Sequence, residues 1–189
     1  KSSYPHSLMD YFILKASILK LRNEFDSALI CYEEERSIAR SIFSDYWIAD
    51  AFVSIGNIYF ERNNYKGALV NYDSAYYYFK NYNQTKELGS LAGKICICLL
   101  KSGRLKEARN YINDAKRHTP SFDSRTAKLD YYFAQYLFDS AAKDWQGAFY
   151  NLNLYGTLKD SLYNKSRTQQ LLELQIRYET EKREELLQK

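Results

Sequence analysis

The sequence predicts an all-α chain built as a row of four helical hairpins, and three observations predict it. Ala28, Ala68, Ala108 and Ala148 stand 40 residues apart, and a fixed interval of roughly 20–50 residues marks a repeat array. Each alanine sits in the same local frame. A large residue lies three places before it (Phe25, Tyr65, Leu105, Trp145) and another four places after it (Tyr32, Tyr72, Ile112, Leu152). Finally, 189 residues contain only 2 prolines and 7 glycines, which disfavours a loop-rich or disordered chain and leaves long helical periodicities uninterrupted.

The elements follow in order. The first unit runs through Phe12, Leu19, Phe25, Ala28 and Tyr32, and Glu35 stands where the later units place Ala75, Ala115 and Tyr155. Terminal repeats are often irregular because one face lacks a neighbour. In the second unit Ser44 or Asp45 can cap a helix whose stripe is Phe52, Ile55 and Tyr59, spaced for one helix face. Gly56 lies inside that stripe, where a bare backbone lets a partner helix come close. Asn63 and Asn64 break the helix, since Asn tolerates the left-handed conformation that ends helices. The next helix carries Tyr65, Ala68, Leu69, Tyr72, Ala75 and Phe79; Ala68 and Ala75 leave a groove on one face.

The third unit repeats the plan. Thr85 can cap a helix through Leu88, Leu91, Ala92, Ile95 and Leu99, and Gly103 ends it. Leu105, Ala108, Ile112 and Ala115 form its second helix, and Pro120 prevents continuation. In the fourth unit Ser121, Asp123 or Ser124 can cap a helix through Leu129, Tyr132, Phe133, Tyr136 and Leu137. Asp144 then precedes Trp145, Ala148, Leu152 and Tyr155.

No Gly or Pro interrupts residues 157–189, so a long charged helix is expected there. Its candidate seam is Leu158, Leu162, Lys165, Gln169, Leu172, Ile176, Glu179, Arg183 and Leu186, which is expected to pair as a dimeric coiled coil, with folding back on the array or a frayed tail as the alternatives. The chain thus divides into a repeat array at 1–156 and a charged helix at 157–189.

Composition narrows the function. The net charge is +4, with both signs interspersed and no Lys/Arg run beyond two, so nucleic-acid binding by this segment is not expected. No stretch of 18 apolar residues is present, as a membrane span needs. The three cysteines, Cys31, Cys96 and Cys98, lie in apolar helical surroundings and read as small buried hydrophobes. His6 and His118 lack partners at metal spacing. Phosphate loops, nucleophile elbows and zinc-protease motifs are missing. Glu33, Glu34 and Glu35 spread around a helix axis and are read as a solvated face. The tyrosines, dense at Tyr76-Tyr77-Tyr78, are assigned mostly to the repeat core. Neither catalysis nor a cofactor or metal is expected.

The hairpins resemble tetratricopeptide repeats. Phe52, Ile55, Gly56, Tyr59, Tyr65, Ala68, Tyr72 and Ala75 match that family's pattern in the second unit, and Leu105, Ala108, Ala115 and Pro120 match in the third. The resemblance covers about residues 8–156, with a period of 40 where the family has about 34. The tail, Leu158-Lys159-Asp160-Ser161-Leu162 and then Leu174-Gln175-Ile176-Arg177-Tyr178-Glu179-Thr180-Glu181-Lys182, resembles the end of the repeat sensor region in regulators of Bacteroides-type bacteria. There an array outside the cytoplasmic membrane leads through a coiled-coil helix and one membrane span to a histidine kinase or helix-turn-helix output domain.

The resemblance implies a concave face lined by the first helix of each hairpin. Asn57 occupies a position that in the family often contacts a bound peptide. The same register places Ile97 and Leu137 in later units, and Lys94 and Phe133 fall nearby. Without a matched Lys and Asn clamp, an apolar-to-mixed peptide groove is expected rather than a carboxylate-end binder.

The expected fold is therefore an all-α, right-handed α-solenoid with a long C-terminal helix. The expected role is protein–protein interaction, as the sensor portion of a membrane-tethered bacterial signal-transduction or transcriptional regulator. It would sit on the periplasmic side of the inner membrane, bind a protein or peptide, and have the option of homodimerising through its last helix. Any membrane tether would lie beyond Lys189. The alternative is a freestanding adaptor or co-chaperone, cytoplasmic or periplasmic.

Overall fold

The structure, a computed structural model, describes residues 4–82, 85–118 and 125–165. They form helices α1 (Tyr4–Leu21), α2 (Phe25–Ser41), α3 (Asp45–Glu61), α4 (Tyr65–Asn81), α5 (Thr85–Lys101), α6 (Leu105–His118) and α7 (Arg125–Ala141), then α8 over 145–165. No strand occurs among the described residues. The helices pair in sequence as α1/α2, α3/α4, α5/α6 and α7/α8.

One turn closes all four hairpins and also links α2 to α3, where Phe43 has φ 53° and Ser44 N–H donates to Ala39 C=O at 3.0 Å. Asn23, Asn63, Gly103 and Lys143 hold φ at 61°, 57°, 74° and 64°, the left-handed conformation that closes a helix. In each hairpin the following amide reaches back five residues: Glu24 N–H to Leu19 C=O at 2.9 Å, Asn64 to Tyr59 at 2.8 Å, Arg104 to Leu99 at 2.8 Å and Asp144 to Asp139 at 2.9 Å. The αL residue itself bonds back three residues, for example Asn63 N–H to Phe60 C=O at 2.9 Å. Together these satisfy carbonyls that the helix end would leave orphaned. Two turns add a side-chain cap on the outgoing helix, where Asn64 Oδ1 accepts from Gly67 N–H at 2.9 Å and Asp144 Oδ1 from Gly147 N–H at 3.0 Å.

The four alanines occupy the same place in successive hairpins, each the fourth residue of its helix. Ala28, Ala68 and Ala108 are wholly buried and Ala148 nearly so. Their frame residues Tyr32, Tyr72 and Ile112 are buried as well, whereas Leu152, on the last helix, is 43% exposed. The largest core cluster runs through Ala68, Tyr72, Phe79, Leu91, Ile95, Leu99, Ala108 and Ile112, and a second, smaller one joins Ala16, Ala28, Tyr32, Ile55 and Ile58. Each hairpin thus closes its apolar face against the next, the packing logic of a repeat array. Gly56 serves close approach: a Cβ there would lie 2.6 Å from Cδ1 and Cε1 of Tyr72.

Several expectations need correction or qualification. Glu33 and Glu34 face solvent, but Glu35 is fully buried. It stands close enough to Asp50 of α3 to feel that charge, at the position that Ala75 and Ala115 fill with a methyl group. The tyrosines are less of a core than expected. Tyr32 and Tyr72 are buried, while Tyr76, Tyr78 and Tyr111 are half-buried and Tyr77 is exposed. The hydroxyl keeps these rings at the surface, where Tyr76 OH donates to Asp114 Oδ2 at 2.5 Å. Ser44 precedes α3 as anticipated but makes no side-chain cap. Cys31, Cys96 and Cys98 are free and buried, and burial pushes the Cys96 and Cys98 thiols up to about 12. Pro120 and the proposed caps of α7 lie outside the described residues, as does the proposed seam beyond Lys165. The described part of α8 runs unbroken through residue 156.

Candidate binding groove

The three residues assigned to a groove from sequence, Asn57, Lys94 and Phe133, line one cavity of about 470 Å³. They come from α3, α5 and α7. Lys94 Nζ donates to Asn57 Oδ1 at 2.9 Å, and Tyr72 OH donates to the same oxygen at 2.9 Å. The Asn57 amide therefore ties the inner face of α3 to α5 and to its own hairpin partner α4. Phe133 lies against Tyr155 of α8, ring centroids 5.1 Å apart, close enough for an offset aromatic pair. Tyr155 stands at the repeat position of Ala75 and Ala115, so the fourth hairpin places a cavity-lining ring where the second and third place a methyl group. At the far end Lys20 Nζ pairs with Glu61 Oε1 at 3.2 Å.

A second cavity of about 340 Å³ adjoins the first and shares Lys94. Val53, Phe79, Leu91 and Ala127 give it apolar walls, and Asp50 and Glu87 give it carboxylates.

Sequence reading missed the reason the space exists. Val53, Gly93 and Phe133 are equivalent by the 40-residue step. At Gly93 the backbone of Asp130 comes so near that a Cβ would meet its carbonyl carbon at 3.2 Å. Helix α7 accordingly packs chiefly on α5 and less on α6, whereas α3 packs on α2 and α5 on α4. With Val53 in the same place, α3 does not approach α5 in that way, and the smaller cavity opens beside it.

The same step aligns a polar stripe, Asp10, Asp50, Ser90 and Asp130, one residue per hairpin. Ser90 Oγ donates to Asp130 Oδ2 at 2.5 Å. Burial raises the Asp130 carboxyl above the usual range, partly offset by the Lys94 charge and the Ser90 bond. Asp50 is raised too, by burial and then by the neighbouring Glu87 charge. The repeat interval alone places these polar residues in register.

The fold, with this groove in place, has solved counterparts. BtubC (BKLC) from P. vanneervenii, known from a crystal structure, is similar with a TM-score of 0.67 at 14% identity, over 84% of this chain and 66% of that one. At that identity the likeness shows a shared helical fold alone. The match spans just under two thirds of BtubC. No family model matches the sequence, and no curated protein matches it. Among the described residues no helix is long and apolar enough to cross a membrane.

Proposed function

We propose that this chain is a protein-interaction module of the tetratricopeptide-repeat type, a right-handed solenoid that binds an extended peptide segment along the inner faces of α3, α5 and α7. The observation that carries this reading is the pair of adjoining cavities, whose combined lining is mostly apolar with a few convergent polar groups. That is the usual make-up of a recognition site. The inner helices are cross-tied through Asn57 and Lys94, so the groove is largely preformed and a ligand loses little affinity to ordering it.

Within this reading the chain is the sensor portion of a membrane-tethered bacterial regulator. The resemblance of residues 158–182 to the tail of such sensors supports that placement. Peptide capture would change how the hairpins lie against one another and so change the pairing of the C-terminal helices.

Selection of random twelve-residue peptides displayed on phage against the 189-residue chain tests the binding function. Enriched peptides should compete with one another and should lose binding to the Phe133→Ala and Asn57→Ala variants. A selection with nothing above background refutes the groove reading. The tethered version fails if the full reading frame lacks an apolar run of about 20 residues after Lys189.

A further inference from the structure

The charges of the groove run against those of the chain. Its two cavities are lined by four acids, Asp50, Glu61, Glu87 and Asp130, and two bases, Lys20 and Lys94. That is a formal −2 in a molecule whose net charge is +4. Both bases are engaged: Lys20 pairs with Glu61, and the ammonium of Lys94 is turned to Asn57 and acts on Asp130. Asp50 and Glu87 remain, both on the wall of the smaller cavity, with no ion pair among the described residues.

Glu87 Oε2 is a buried oxygen without a hydrogen-bond partner, and so are both carboxylate oxygens of the fully buried Glu35. The Asp50 charge acts on Glu35, and the Glu87 charge acts on Asp50. Two carboxyl groups, Asp50 of α3 and Glu87 of α5, thus wall the cavity of about 340 Å³, and the base in its lining, Lys94, is turned to Asn57. Buried unpartnered polar groups of this kind cost stability and are rare without a reason. Carboxylates are also acceptor-only when ionised, so the missing complement is a donor-rich cation.

We infer that the smaller cavity takes a lysine or arginine side chain of the bound peptide, its charged head between Asp50 and Glu87 and its aliphatic stem along Val53, Phe79 and Leu91. The dimensions suit such a side chain, since its stem lies on apolar surface while its head seeks the acids. This inference rests on the peptide-groove reading and specifies the chemistry of its ligand.

The test uses the peptides enriched by display. A lysine or arginine should recur at one position with apolar residues beside it. Replacing that arginine by citrulline, or that lysine by acetyl-lysine, should weaken binding to the wild-type chain at least about tenfold, measured by fluorescence anisotropy. The same replacement should cost less than about threefold on the Asp50→Asn/Glu87→Gln chain. The peptide-side swap needs no altered protein, and the amide variants keep the side-chain shapes, so folding does not confound the result. Enriched peptides with no recurrent cation, or an equal loss on both chains, overturn this inference and leave the groove reading intact. A selection that enriches nothing removes both.

Discussion

Replacing Glu35 by glutamine should abolish a large pH dependence of stability. Glu35 is fully buried, and neither of its carboxylate oxygens has a hydrogen-bond partner. Burial first and the Asp50 charge second lift its pKa from the usual 4.5 to about 8. The folded chain thus holds this proton more tightly than the unfolded chain. Below pH 4.5 both states are protonated and no penalty exists. As pH climbs from 4.5 to 8 the unfolded state is increasingly favoured, and above 8 the penalty is constant. Each pH unit in that window is worth about 1.36 kcal/mol, so the full span of about 3.5 units amounts to about 5 kcal/mol and the part below pH 7 to about 3 kcal/mol. Glutamine matches the shape of the neutral acid but never ionises. Wild type and variant should therefore agree near pH 4, and the variant should be more stable by about 3 kcal/mol at pH 7, a rise in Tm on the order of 10 °C. Urea titrations followed by circular dichroism from pH 4 to 9 measure the difference. Asp50 also titrates upward, but it is present in both chains, so the difference isolates Glu35 and its coupling to Asp50. Parallel loss of stability in the two chains between pH 5 and 8 would refute the reasoning.

Four further single substitutions probe the repeat geometry. Gly56→Ala sets a Cβ 2.6 Å from the buried Tyr72 ring and should cost about 1–3 kcal/mol in a urea titration, with Tyr72→Leu in the same chain recovering part of it. Lys143 carries a side chain at φ 64°, where a β-carbon costs roughly 1–2 kcal/mol; Lys143→Gly should raise the thermal midpoint, and Gly103→Ala at φ 74° should lower it. Asn64→Ala removes the acceptor for Gly67 N–H and should cost about 1 kcal/mol, with hydrogen exchange quickening in the first turn of α4 before the rest of that helix.

The hairpins were legible in the sequence because their determinants are local. The alanine interval, the apolar frame around it, and the asparagines and glycine at the turns act within a few residues of themselves. Asn57, Lys94 and Phe133 could be placed on one face by the same interval. What stayed hidden depends on how hairpins meet. Three consecutive glutamates spread around an axis whatever the fold, and only the position of α3 decides that Glu35 is the one enclosed. The contrast of Val53 with Gly93 stands in the sequence at equivalent positions, but its effect, the descent of α7 onto α5, is a long-range choice between two neighbouring helices. The carboxyl stripe escaped because polar positions are usually read as solvent contacts. Here two of its members are buried enough to shift their titration.

The recurring turn has an evolutionary consequence. Because the same bonds close every hairpin at one interval, a 40-residue cassette can be duplicated or lost without designing a new corner, and each cassette brings one position of the Asp50–Ser90–Asp130 series with it. Lengthening such a chain adds a reading head for one more stretch of ligand, so reach and selectivity grow together while the architecture stays unchanged.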